Sequence, residues 1–265
     1  MKSTILSCLP AGHPWRANLH CFDSLGSTND LAKAMARQGA PEGTVIIASH
    51  QTGGRGRMGR SFHSPEGAGI YFSLILRPQC PPDALMHLTC AAAEAMCDAV
   101  ESSHGIRPGI KWINDLVCGR RKLGGILTEL VFSSGGKLEA AIVGIGINCL
   151  QTEGDFPEDL RTIACSLSMV TGRQADPAAL AAAMIQNLYE MSSGLLTQKV
   201  QILRRYRADC ITLGQDVVII RGEDRIYGHA VDVNEEGALV VSLPDGRFDT
   251  VYAGEVSVRG MYGYV

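Results

Sequence analysis

The sequence predicts an α+β protein: a mixed sheet flanked by helices, followed by a small all-β unit. Three observations predict it. Strand-like and helix-like segments alternate irregularly over residues 1–212, without the strict βαβ order of a doubly wound fold. The turn "SSGGK" separates two long apolar runs, 124–132 and 138–148, as in an antiparallel hairpin. From 213 to 265 the texture changes to five short β-rich runs, "QDVVIIR", "RIYGHAVDVN", "GALVVSL", "RFDTVY" and "EVSVRG", broken by "GED", "EEG", "PDG" and "AG". The expected division is therefore 1–212 and 213–265.

The elements follow in order. "STNDLAKAMARQG" reads as a helix, with Ser27 and Asp30 resembling a capping box, Leu31, Ala34 and Met35 as an apolar stripe, and Gly39 as the stop. "TVIIASH" (44–50) is β-branched and short, a strand. "GIYFSLIL" (69–76) is apolar on both faces, which suits a central strand. A long helix runs from Pro82 and Asp83 to Gly105, with Leu85, Leu88, Ala92, Met96 and Ala99 on one side. Three strands are expected over 110–117, 124–132 and 138–148, and 150–175 is loop-rich. Asp176 and Pro177 open another helix, and "TQKVQILRRYRADC" a last one, with Val200, Leu203 and Tyr206 on one face.

Composition narrows the function classes. The chain has 265 residues, 46% apolar and 19% charged, ordinary for a globular protein with a sizeable core. A net charge of −3 and a pI near 6.2 argue against general nucleic-acid or membrane binding. The apolar run at the start ends at Pro10, too short for a signal peptide, and no run suits a membrane span. Nine cysteines occur without a C-x-x-C pair. They read as reduced, cytosolic thiols packed in the core rather than as a zinc or disulfide framework.

The most informative stretch is "GGRGRMGR" (53–60). Gly54, Gly56 and Gly59 match the G-x-G-x-x-G of a dinucleotide-binding turn. That turn needs a following helix and an acidic residue further on. Here "RSFHSPEGAGIYF" runs straight into a strand, so a Rossmann reading fails. Arg55, Arg57 and Arg60 repel one another, a cost justified by meeting an anion. At 4 Å a charge pair is worth about 1 kcal/mol in water and about 4 at an effective dielectric of 20. The loop is therefore expected to matter most when it closes over a ligand. A solvated surface loop is the plain alternative.

Four other constellations are ambiguous alone. In "KWIND" strand alternation puts Lys111, Ile113 and Asp115 on one face, as an ion pair or as a cleft floor. In "RRKLGGIL" Arg120 and Arg121 look like hairpin surface charge, and Lys122 precedes Gly124 and Gly125, a bulge or a place of close ligand approach. In "VGIGINC" small residues lead to Asn148, through tight packing or to make room for something. In "STN" Ser27 caps a helix, while its neighbours' hydroxyl and N–H groups suit a polar ligand.

Together, in the order "STN … QTGGRGRMGR … KWIND … KLGGIL … GIGIN", these motifs resemble the biotin–protein ligases over residues 27–148, and by architecture to the C-terminus. Two departures stand out: Ile113 where the family commonly has proline, and Phe62 where it often has tryptophan. The resemblance implies a fold similar to class II aminoacyl-tRNA synthetases and lipoate ligases, followed by an SH3-like barrel. The first motif begins at Ser27, so the monofunctional form is expected, without the N-terminal DNA-binding domain of some members. It implies ATP-dependent activation of biotin to biotinyl-5′-AMP, with Mg2+, and transfer to a lysine of a biotin carboxyl carrier protein or domain.

By motif, the resemblance puts Ser27, Thr28, Asn29 and Gln51 around the biotin ureido ring, and Arg55, Gly56 and Arg57 in a loop over biotin and adenylate. It puts Lys122 on the biotin carboxylate and α-phosphate, Gly125 and Gly144 beside the biotin tail, and Arg60, Phe62 and Asn148 on the adenylate side. Lys111 and Asp115 are added as catalytic candidates, Asp115 near the metal or the incoming lysine. The metal ligands are not specified, and a homodimer through sheet edges is left open. Lipoate or octanoate ligation, or biotin sensing without transfer, are the rival functions.

Overall fold

In the computed structural model the described residues are 1–221, 223–252 and, as backbone, 257–260. Among them twelve strands form two sheets. The larger has the order β1 (Leu19–Phe22), β2 (Thr44–Ala48), β3 (Gly69–Leu76), β7 (Leu138–Asn148), β6 (Arg121–Phe132), β5 (Asp115–Cys118), β4 (Gly109–Lys111). β1 and β2 are parallel and every other neighbouring pair is antiparallel, so the sheet is mixed, as expected. The smaller, antiparallel sheet has the order β11 (Phe248–Val251), β10 (Leu239–Ser242), β9 (Asp224–Val233), β8 (Asp216–Arg221), β12 (Ser257–Gly260). Of the expected strand "EVSVRG", Glu255 and Val256 lie outside the described residues, as do the expected break at 253–254 and the end of the chain, 261–265.

Alternation along the central strands gives the large sheet two unlike faces. On one, Phe72, Leu74, Val143, Ile145 and Ile126 join α3 (Leu88–His104) and α5 (Pro177–Gly194) in the main core. Burying a side chain such as Phe72 or Met96 completely contributes about 1.5–3 kcal/mol. On the other, Ile46, Ile75, Val131, Ala140 and Ile142 meet Ala32 and Ala36 of α2 (Thr28–Arg37), a smaller core. Further along this second face the residues of β7 become Gly144 and Gly146, and a cavity replaces the helix.

Several expectations are corrected. The chain does not run straight through 110–117: it reverses at Trp112–Asn114, and β4 pairs back onto β5 with Lys111 opposite Asp115. The Trp112–Ile113 peptide in this turn is cis. The helix expected from Pro82 is a 3₁₀ turn, Pro82–Leu85, followed by α3, which Gly105 closes at φ 71. Val200 of α6 (Lys199–Asp209) is 79% exposed, whereas Leu203 and Tyr206 are buried. Helices α1 (Lys2–Cys8) and α4 (Leu167–Thr171) and strand β1 were not expected. Of the nine free cysteines, five are buried and Cys8 is exposed. No helix among the described residues is long and apolar enough to cross a membrane.

The small sheet is docked, not merely tethered. Its residues Val217, Ile219, Val233, Leu239 and Val241 join the main core. The Trp112 indole donates to the Gly237 carbonyl at 2.9 Å, and Arg207 donates to Asp232 at 2.8 Å and to the Val233 carbonyl at 2.7 Å. Gly237 has φ +83, and a Cβ there would stand 2.9 Å from the Cys90 sulfur, so both conformation and space call for glycine.

Candidate functional site

The cavity on the α2 face encloses about 780 Å³, the size of a small-molecule site. Every candidate from the sequence lies on its wall: the 27–29 segment, Gln51, the arginine loop with Phe62, the 111–115 turn, Lys122, Gly125, Gly144 and Asn148. The floor is β6 and β7, where Gly125 opposes Gly146 and Leu127 opposes Gly144.

Two glycines of β7 sit against side chains of the cavity wall. A Cβ on Gly144 would fall 2.1 Å from Asn29 Oδ1, and one on Gly146 2.5 Å from the Phe62 ring. They make room first for the protein's own side chains, which then line the cavity. Gly54 is likewise needed inside its loop, where a Cβ would meet Ser64 Oγ at 2.6 Å and the Phe62 carbonyl at 2.7 Å. A Cβ on Gly56 would meet nothing nearer than 3.6 Å among the described residues.

At the α2 end Ser27 has the backbone of an N-cap, φ −152 and ψ 132, but its side chain makes no capping bond, so the expected capping box is absent. A distant residue satisfies a different free N–H of the first turn, that of Thr28. Gln51 Oε1 receives the Thr28 backbone N–H at 2.8 Å and the Thr28 hydroxyl at 3.0 Å, and Gln51 Nε2 donates to Ser64 at 3.3 Å. Asn29 Nδ2 donates to the Leu127 carbonyl at 3.2 Å and to Glu129 at 2.8 Å, and Asn29 Oδ1 accepts from Ser73 at 2.6 Å.

The arginine loop joins β2 to β3 and folds back on itself. Gly56 N–H donates to the Arg60 carbonyl at 2.7 Å and Phe62 N–H to the Gly54 carbonyl at 3.0 Å, with a tight turn over Arg57–Gly59 and Met58 at φ 56. Its arginines part company. Arg55 pairs with Asp30, with Glu129 at 3.6 Å. Arg60 is exposed on the rim. Arg57 donates from Nη1 to Asn114 Oδ1 at 3.0 Å, and its Nη2 is buried without a hydrogen-bond partner among the described residues. Desolvation lowers the Arg57 pKa from its ordinary value; Asp115 opposes this and Arg60 adds to it.

Beside Arg57, Lys122 Nζ donates to Asp115 Oδ1 at 2.6 Å, leaving two of its three N–H groups for other acceptors. Lys111 is buried and stands across from Asp115 in the sheet register, so the two are brought together by the reversal rather than by alternation along one strand. Asn114 Nδ2 donates to the Ile126 carbonyl at 2.9 Å, which fixes the amide that holds Arg57. Asn148 is buried, donating to the Cys165 carbonyl at 3.0 Å and accepting from Gln151 at 3.2 Å.

Sequence reasoning did not single out Asn114, Glu129 or Gln151 for the site, nor the wall formed by Phe156, Asp159, Leu160 and Ile163. Asn114 could have been found from its place in "KWIND"; the wall comes from an irregular loop with no periodic signal. The arrangement concentrates cationic donors at one end of the cavity, with a buried N–H left over, and neutral amides and hydroxyls at the other. It suits a ligand with an anionic group at one end and hydrogen-bonding polar atoms at the other.

Comparisons with known proteins agree with that geometry. The profile of the biotin/lipoate A/B protein ligase family matches residues 21–148, and that of the biotin protein ligase C terminal domain matches 212–259. The chain is 34% identical over 237 residues to the bifunctional ligase/repressor BirA of Bacillus subtilis, covering 89% of this chain and 72% of that protein. It is 32% identical over 252 residues to a biotin–(acetyl-CoA-carboxylase) ligase of Mycobacterium tuberculosis, covering 93% and 90%. Among solved structures, the biotin protein ligase of Aquifex aeolicus in complex with biotin and ATP superposes with a TM-score of 0.79 at 29% identity, covering 92% of this chain and 99% of that one.

Proposed function

The chain belongs to the biotin/lipoate A/B protein ligase family, as a biotin ligase enzyme, and on that premise we propose a two-step reaction in the cavity beside the arginine loop. First, a carboxylate oxygen of biotin attacks the α-phosphorus of ATP, the bond to the β-phosphate oxygen breaks, and pyrophosphate leaves. Second, the ε-amine of one lysine of a biotin carboxyl carrier domain attacks the carbonyl carbon of biotinyl-5′-AMP. An amide forms, AMP leaves, and the amine's proton passes to solvent. We assign 1–212 to this chemistry and 213–265 to the C-terminal unit.

The observation that carries the proposal is the buried Nη2 of Arg57, without a hydrogen-bond partner among the described residues. A buried donor without an acceptor costs about 1–3 kcal/mol. A phosphate oxygen of the adenylate is the acceptor that removes this cost, and Asn114 holds the guanidinium ready for it. Lys122 neutralises charge on the biotin carboxylate and α-phosphate as the pentavalent centre forms, and Asp115 keeps its ammonium in place. Lys111 adds positive charge to the same end. Ser27, Thr28, Asn29 and Gln51 grip the ureido ring, and Gly125 and Gly144 flank the biotin tail. Arg55 and Gly56 shape the loop, with Arg60, Phe62 and Asn148 on the adenylate side. No group of three or more His, Cys, Asp or Glu that could hold a metal occurs among the described residues. Magnesium would arrive with ATP, held mainly by its phosphates, with Asp115 the candidate carboxylate.

The test is incubation with ATP and labelled biotin, with and without a biotin carboxyl carrier domain. Pyrophosphate release with biotin, and label on the carrier lysine only when the carrier is present, are expected. Release with lipoate but not biotin would overturn the assignment.

A further inference from the structure

We propose that Glu129, which does not itself line the cavity, is a positioning residue that sets the polarity of the biotin end and anchors the root of the arginine loop; the inference rests on the reading of the cavity given above. The argument starts from the Asn29 amide. Its two N–H groups are both spent, on the Leu127 carbonyl at 3.2 Å and on Glu129 Oε2 at 2.8 Å. Its oxygen accepts one bond, from Ser73, and has a second lone pair. Asn29 is on the cavity wall, so what it offers a ligand is an acceptor, suited to a ligand N–H. Leu127 alone would occupy only one of the two N–H groups. Glu129 occupies the second and so prevents the amide from presenting a donor.

The same carboxylate closes a charge quartet. Glu129 Oε1 accepts from Lys33 at 2.9 Å, and Oε2 lies 3.6 Å from Arg55. Asp30 lies 3.0 Å from Lys33 and also pairs with Arg55. Two cations and two anions balance. Arg55, at the start of the loop, is thereby tied to α2 and β6, while Arg57 keeps an N–H for the ligand. Glu129 links both effects: it polarises Asn29 and fixes the pivot about which the loop meets the ligand.

The experiment compares Glu129→Leu and Glu129→Gln with the wild type, measuring KM for biotin, KM for ATP and kcat of pyrophosphate release. Glu129→Leu is expected to raise KM for biotin about 10–100-fold, with kcat at saturating biotin and KM for ATP within about threefold. Glu129→Gln keeps an oxygen for Asn29 and is expected to recover most of the biotin KM. An unmoved biotin KM in the Leu variant, or a common fall of all parameters with Gln no better than Leu, overturns the proposal. Should the Leu variant not fold, Glu129→Ser, polar and too short to reach Asn29, takes its place. A wild-type chain that releases no pyrophosphate with biotin and ATP sinks the reading of the cavity instead, so the two failures are distinguishable.

Discussion

Arg107 and Arg57 are both half-buried arginines, and the protein treats them in opposite ways. Arg107 lies between α3 and α6 with all five N–H groups engaged. Nε and Nη2 reach Asp209, the second of these at 2.6 Å; Nη1 reaches Asp98 at 2.8 Å and Glu101 at 2.7 Å; and Nη2 also reaches Glu94 at 3.2 Å. Among the described residues the Arg57 guanidinium makes one hydrogen bond, to a neutral amide, and its buried Nη2 has no partner. The first is a structural rivet and the second a socket. Arginine itself does not distinguish them; the number of carboxylates folded around it does.

The largest expected effect comes from removing the socket's partner cation. Lys122→Ala should lower kcat for pyrophosphate release about 10²–10³-fold with an unchanged thermal melt. A near-normal rate in that variant would detach Lys122 from the chemistry. Next, Asn114→Asp gives Arg57 a carboxylate and makes it resemble Arg107. It should raise KM for ATP about tenfold or more, at a cost of about 1 kcal/mol for the lost bond to Ile126. Unaltered ATP kinetics would mean that the spare N–H is not what meets the nucleotide. Removing the rivet should do the reverse. Arg107→Ala is expected to destabilise by about 3 kcal/mol in urea unfolding, with kcat and both KM values within about threefold at a temperature where it remains folded.

The smallest effect is a pH dependence. Burial, then the charge of Asp98, push the Glu94 carboxyl up to about 7, against Arg205 and Arg107. A group whose folded pKa is raised contributes stability that is fully present below its unfolded pKa and lost as pH rises through the folded value. Wild-type stability should therefore fall between about pH 4.5 and 7 from this group. The melting temperature of Glu94→Gln relative to wild type should rise over the same window. A pH-independent difference would remove Glu94 from the explanation.

Much of the site could be read in the sequence because it is built from short local signals. Glycines in apolar strands, clustered arginines and a polar helix start mark places where packing alone gives no reason for the residue. What escaped notice depended on contacts distant in sequence. "KWIND" looks like one more strand, and only its pairing with β5 shows the reversal at Trp112–Asn114. Ser27 looks like a cap, but its side chain makes no capping bond, and Gln51 accepts the Thr28 N–H at the helix start. Val200 fits an apolar stripe by spacing, yet it stays 79% exposed. Glu129 reads as an ordinary charge on a strand until Asn29, a hundred residues away, is seen to donate to it. The fold class rested on periodicity and turn chemistry, which are local, and the mixed sheet follows it closely.

The turn at Gly237 has a bearing on how the molecule comes apart. It gives its carbonyl to the Trp112 indole, and the Trp112 amide in turn donates to Thr212 at 2.9 Å, where the chain passes between the two sheets. Prising the small sheet away would strip an acceptor from the very turn whose Asn114 holds Arg57. The two sheets should accordingly melt in a single calorimetric transition, with van't Hoff and calorimetric enthalpies equal. A bulky residue in place of Gly237 should split that peak and weaken nucleotide binding together.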